Sequence, residues 1–264
     1  MTRTRRTLAA ALIALSLAAP ARAADDLTLR PSYDLATDVA VTGVALGGTF
    51  TLLLLKDQLA PVTCRWCNPP GFDADVTRAL AWSNTGAAGT ASDILQVVLA
   101  AGVLGNTLLD GYRRDGAELG FTNALLITEA TSIAMLVNTG VKYAVGRSRP
   151  YVWLSGTQAT TRDGNLSFYS GHTTFAFAVA ASSSTLLLSQ HAPGAEIASA
   201  VAFAGAGFIG YLRIAAEQHY LTDVLTGAAV GGLIGWAVPY FFHPPRDGGG
   251  AQIRPAVGGI AVAW

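Results

Sequence analysis

Lys142 is followed by Arg149-Pro150, then by Ser170-Gly171-His172, then by Arg213 with His219 and Asp223 behind it. Residues of these types in this order read as a phosphate cradle. Lys142, Arg149 and Arg213 carry the positive charge that phosphoryl transfer needs, because charge spreads over three equatorial oxygens in the transition state, and an arginine grips two oxygens at once. Ser170-Gly171-His172 stands just before an apolar run beginning at Thr173. A helix N-terminus there presents unpaired N–H groups and partial positive charge to an anion. Gly171 lets backbone approach a phosphate, Ser170 donates from its hydroxyl, and His172 is placed to protonate a leaving oxygen. His219 and Asp223 are four apart at the start of the last helical run and share a face. A hydrogen bond to Asp223 would fix the imidazole tautomer and leave the other nitrogen free to attack phosphorus, giving a phosphohistidine. The chemistry calls for no cofactor, and no carboxylate cluster or close histidine pair accompanies the motifs to hold a metal.

Each motif alone has a plainer explanation. Ser170 is a good helix cap, Lys142 suits the carboxyl end of a helix, and Arg213 could snorkel at a bilayer edge. Their order and spacing favour the cradle. Arg147, between motif positions, reads as a solvated or headgroup contact. His191 and His243 have no partner pattern and read as incidental. Tyr143, Tyr151, Trp153, Phe168 and Tyr169 around the intervening loop suit either a lipid tail or packing against the bundle.

Six apolar segments must position these residues: Val39 to Leu55, Ile94 to Leu109, Phe121 to Val141, Thr173 to Ser189, Ala195 to Leu212 and Val224 to Phe242. Strand alternation is almost absent, so the expected fold class is all-α, a bundle of about six core helices. Turns are expected at Asn84-Thr85-Gly86, Arg113-Arg114-Asp115-Gly116 and Ala192-Pro193-Gly194. Gly227, Gly231 and Gly235 recur on one face of the last segment and predict close helix contact. The tail from 244 to 264 ends in alternating Ile260, Val262 and Trp264, too brief a pattern to choose between a strand, a docked extension and disorder.

Charged residues make up 13% of the 264 residues, about half the soluble norm, and the mean hydropathy is +0.40. The bundle is therefore expected to be membrane-embedded, although Glu129 in mid-segment pulls toward a soluble periplasmic fold. Zero net charge with no basic run argues against a nucleic-acid partner. Residues 1–23 read as an export signal: Arg3, Arg5 and Arg6 precede an apolar stretch from Leu8 to Ala19, and Ala21-Arg22-Ala23 offers a cleavage site. The single domain expected after it spans 24–243. Cys64 and Cys67, the only cysteines, predict a local disulfide in an oxidising compartment.

The three motifs resemble the type 2 phosphatidic acid phosphatase superfamily, whose pattern is Lys, six residues, Arg-Pro; then Pro-Ser-Gly-His; then Ser-Arg, five residues, His, three residues, Asp. The likeness covers 121–242, with Tyr169 where the family usually has Pro and Leu212 where it usually has Ser. The resemblance implies a phosphatase acting on a phosphomonoester or pyrophosphate, with a phosphorylated lipid or a small phosphoester as partner. It implies His219 as nucleophile and an inner-membrane site facing the periplasm. Soluble periplasmic acid phosphatases and vanadium haloperoxidases share the pattern, and a non-catalytic membrane protein that binds or transports phosphate is the reading from another class. Six spanning segments after a cleaved signal would turn the motifs inward. A site on the outer face therefore requires the first segment to lie against the others without crossing, or the bundle to be soluble.

Overall fold

The computed structural model describes residues 29–245, and the backbone of 252–256 and 259–263. The export signal expected over 1–23 lies outside the described residues.

The fold is helical: α1 (Leu35–Leu54), α2 (Lys56–Leu59), α3 (Gly71–Leu80), α4 (Thr85–Val145), α5 (Pro150–Ser155), a 3-10 turn (Arg162–Asn165), α6 (Gly171–Ser189), α7 (Ala195–Ala215) and α8 (Leu221–Ala237), which tightens into a π turn (Val238–Phe242). In the tail β1 (Gln252–Ala256) pairs antiparallel with β2 (Gly259–Ala263). Local chemistry sets the ends. Asp34 accepts from Thr37 N at 2.8 Å to start α1, and Asn84 accepts from Ala87 N at 2.9 Å to start α4. α4 stops at Gly146, whose left-handed φ of 61° ends the helix.

α4 is two helices in one. Its second and third expected segments meet at the turn read from the sequence, where Asp115 and Gly116 leave helical geometry and Gly116 takes a φ of 83°. The arms 85–114 and 117–145 then run antiparallel. The six predicted segments thus become six traverses of one bundle, alternating in direction.

α6 is the central rod. Ala176, Ala178, Val179, Ala180 and Leu186 are buried along it against α4, α7 and α8. The glycine stripe performs as expected: a Cβ on Gly227 would stand 2.7 Å from Ser170 O and one on Gly235 2.5 Å from Ala178 O, so α8 lies backbone to backbone on α6. The outer faces are apolar, with Val44, Phe50, Leu54, Ile94, Val97 and Phe208 exposed. Four helices, Leu35–Leu54, Thr85–Val145, Ala195–Ala215 and Leu221–Phe242, are long and apolar enough to cross a membrane. Such a broad apolar exterior suits lipid rather than water.

α1 lies against the second arm and runs its height, from Asp38 beside Glu129 and His243 at one end to Leu52, whose carbonyl accepts from Tyr143 Oη at 2.7 Å, at the other. Two expectations change here. His243 is not incidental, and Glu129 does not pull toward a soluble fold. Both are buried and stand 3.5 Å apart, so the mid-segment acid is spent inside the bundle and says nothing against a lipid exterior.

Candidate active site

All the motif residues come together at one end of the bundle. Lys142 sits in the last turn of α4, Arg149 caps α5, Ser170, Gly171 and His172 open α6, Arg213 closes α7, and His219 and Asp223 begin α8. The segment Leu166–Ser170 threads their centre. Its carbonyls hold two of them: Leu166 O accepts from Lys142 Nζ at 2.8 Å, and Ser167 O accepts from His219 Nδ1 at 2.8 Å.

A carbonyl can only accept, so the proton of His219 is on Nδ1 and Nε2 keeps its lone pair. Burial, and then the charges of Lys142, Arg149 and Arg213, hold the His219 imidazole well below its usual pKa. It is neutral and nucleophilic in form at neutral pH. The predicted direct bond to Asp223 is absent: Asp223 Oδ2 stands 3.7 Å from Nδ1. Asp223 acts through Ser167 instead, accepting from its hydroxyl at 2.5 Å, and it accepts from Tyr220 N at 2.9 Å to start α8. The physical reason is competition, since the N3 position of a helix favours capping the backbone over reaching one turn up.

Arg147 is the larger correction. It is not solvated but 1% exposed, and it binds two carboxylates at once, Asp223 Oδ1 at 2.6 Å and Asp73 Oδ2 at 2.7 Å. Its guanidinium lies between two rings, 3.9 Å from Trp66 and 4.2 Å from Tyr220. Asp73 also accepts from Thr222 N at 3.0 Å, so a buried acid, base, acid triad braces the start of α8 behind His219.

The front of the site is more open. A cavity of about 510 Å³ is lined by Arg149, His172 and Arg213, with Asp93, Asp163 and Gln218 among them. Arg149 is set by Asp163 O at 2.9 Å and Gln218 Oε1 at 2.7 Å. Asp93, from the first arm of α4, accepts from His172 Nε2 at 2.7 Å and lies 3.4 Å from Arg213. Arg213 also donates to Ser92 Oγ at 2.9 Å, while its Nε is buried without a partner. Ser170 serves mainly as the helix cap, its Oγ accepting from Thr173 N at 3.4 Å and from Thr173 Oγ1 at 2.9 Å. A Cβ on Gly171 would lie 3.2 Å from Asn138 Oδ1 and 3.7 Å from Lys142 Cε, so this glycine lets α6 close on the cradle lysine.

Sequence reasoning missed Asp93, Asp73, Ser167 and Gln218 and misread Arg147. Arg147 did carry a signal, as a third cation packed beside Arg149 in Gly146-Arg147-Ser148-Arg149. Asp93 was visible as a lone acid within an apolar run. Asp73 and Ser167 had no local mark, since their partners are far along the chain. Cys64 and Cys67 form the predicted disulfide, and the loop between them presents Trp66 to Arg147.

Comparison with known proteins finds three likenesses. Residues 123–247 match the PAP2 superfamily model. A stretch of 128 residues, 46% of this chain, is 36% identical to a lipid A 1-phosphatase of Porphyromonas gingivalis, and the match spans 25% of that protein's length. Among solved structures, a transmembrane PAP2 type phosphatidylglycerolphosphate phosphatase from Bacillus subtilis shares 20% identity at a TM-score of 0.38, over 77% of this chain and 88% of that one. The family match falls on the same stretch, residues 123–247, as the converging motifs.

Proposed function

We propose that this protein is a membrane phosphatase that removes phosphate from a lipid phosphomonoester or pyrophosphate through a phosphohistidine at His219. One observation carries the reading: His219 is buried and neutral, with its proton committed to Ser167 O and three cations and a second histidine acting on it. His219 Nε2 attacks phosphorus while the bond to the leaving oxygen breaks, and His172 gives that oxygen its proton. Water then attacks the phosphohistidine, His172 takes the proton back, and inorganic phosphate leaves with His219 restored. Lys142, Arg149, Arg213 and the N–H groups opening α6 balance the transition-state charge.

A lipid substrate is supported by the apolar exterior and by the relative named lipid A 1-phosphatase. The assay that tests it measures phosphate release by the detergent-purified chain from lipid monophosphates, lipid pyrophosphates and soluble aryl phosphates. A kcat/KM much higher on lipids is expected. Equal values would replace the lipid reading by a general acid phosphatase, and no turnover on any substrate would leave a phosphate-binding protein.

The site is proposed to face the periplasm. The Cys64–Cys67 disulfide lies at the same end as the cradle, and such a bond belongs in an oxidising compartment. Arg113 and Arg114 turn at the opposite end, on the inner side. Six traverses put the start of α1 and the site at opposite ends, so this orientation keeps the start of α1 and the end of α8 on the inner side. A fluorescent protein fused at the carboxyl end should therefore mature in the cytoplasm; an export-dependent reporter active there would reverse the orientation.

A further inference from the structure

At the end of the bundle remote from the cradle, three side chains converge from separate parts of the chain: Asp38 in the first turn of α1, Glu129 in the second arm of α4, and His243 just beyond the π turn. One ligand atom of each lies within 4.8 Å of the others, and all three residues are 5% exposed. His243 Nδ1 is 2.9 Å from Ser32 O, which can only accept, so the ring's other nitrogen is the one turned toward the cluster. There His243 Nε2 faces Glu129 Oε2 at 3.5 Å, and neither atom has a hydrogen-bond partner among the described residues. Asp38 keeps one bond, accepting from Asp34 N at 3.0 Å. One turn further along the same face of α1, Thr42 Oγ1 is also buried without a partner.

Charge makes the arrangement costly as it stands. Among the described residues, no lysine or arginine pairs with Asp38 or Glu129, and an imidazolium would balance only one of the two buried carboxylates. A divalent cation between them would balance both and take up the lone pair of Nε2. One imidazole and two carboxylates form a nitrogen and oxygen donor set of the kind zinc accepts, at about 2.0–2.2 Å from the ion. Ligands around a tetrahedral ion at that distance stand about 3.3–3.6 Å apart; His243 Nε2 and Glu129 Oε2 already do, at 3.5 Å, and a side-chain adjustment of about 1 Å brings in Asp38. The Ser32 carbonyl on Nδ1 supplies the outer hydrogen bond that fixes a metal-binding histidine. Glu129 precedes Lys142 by thirteen residues on one helix, about 20 Å at the α-helical rise.

We propose that Asp38, Glu129 and His243 bind a divalent cation of the zinc class, which ties α1 and the chain after α8 to the second arm of α4 at the end opposite the cradle. The two chain segments already meet there, Ser32 N donating to Pro244 O at 2.9 Å. The ion's role is structural, because it lies far from the phosphate cavity.

The test uses the full chain in detergent, stripped with a chelator and titrated with Zn2+ against a chromophoric competitor. One ion per chain and a raised unfolding midpoint are expected. Asp38→Asn and Glu129→Gln, which keep size and lose charge, should each weaken Zn2+ at least tenfold, and the visible spectrum of bound Co2+ should vanish in His243→Ala. A wild-type chain that binds no stoichiometric Zn2+, or binding that survives all three substitutions, would overturn the proposal. The wild-type titration decides the matter even if a variant fails to fold. Because it reads metal and not phosphate release, its failure leaves the phosphatase reading standing.

Discussion

The two ends of this bundle handle buried charge in opposite ways. At the cradle end Asp73 and Asp223 share one arginine, Arg147, held between Trp66 and Tyr220, and further cations stand in front of them. At the far end Asp38 and Glu129 share, among the described residues, only His243. The first end is complete without a ligand on its acidic side and short of an anion on its basic side. The second is short of a cation. Each end therefore reports the sign of what it lacks, which follows from the cost of leaving any charge unmatched inside a protein.

The largest effect expected at the cradle end comes from His172→Ala. Alkyl and lipid phosphates, whose leaving oxygen needs a proton, should slow by about 10²–10⁴, while aryl phosphates lose little. Equal losses on both classes, measured as kcat, would remove the general-acid role. Next comes Arg147→Met, which strands two buried carboxylates and should cost about 3–5 kcal/mol, read as a lower denaturant midpoint. A variant as stable as the wild type would mean that the triad is not the brace described.

Ser167→Ala sharpens how Asp223 works. It removes a hydroxyl worth about 1–3 kcal/mol with its buried partner but keeps the carbonyl that holds His219, so kcat should drop by less than in Asp223→Asn. A silent Ser167→Ala beside a slow Asp223→Asn would mean that the 3.7 Å gap to His219 closes during turnover. The smallest effect on rate belongs to the far end. Chelation should lower the unfolding midpoint and leave initial rates at low temperature unchanged; activity that vanished with chelator and returned with magnesium would overturn the metal-free cradle.

Much of this was legible in the sequence, for identifiable reasons. The six apolar segments and the turns at Asn84, Asp115-Gly116 and Pro193-Gly194 depend on local composition, so they were readable. The Gly227, Gly231 and Gly235 stripe predicted a close helix contact because a four-residue period is a helix face, and the partner proves to be α6. The residues that converge at one end of the bundle were readable from motif order. What failed was what depends on distant partners. Arg147 looked like a surface cation because Asp73 lies far along the chain, and His243 looked idle because Asp38 and Glu129 come from other helices. The Asp223 error differs in kind: the spacing to His219 was right, but the helix start claimed the carboxylate first.

The central claim is that His219 Nε2 carries the phosphoryl group. The most direct measurement traps the enzyme during turnover of labelled lipid phosphate and tests the stability of the bound label. A label that is lost in acid, survives base and is absent from His219→Ala is the predicted result. A label that persists in His219→Ala, or one that is stable in acid as a phosphoester would be, would contradict the assignment of His219 as the nucleophile.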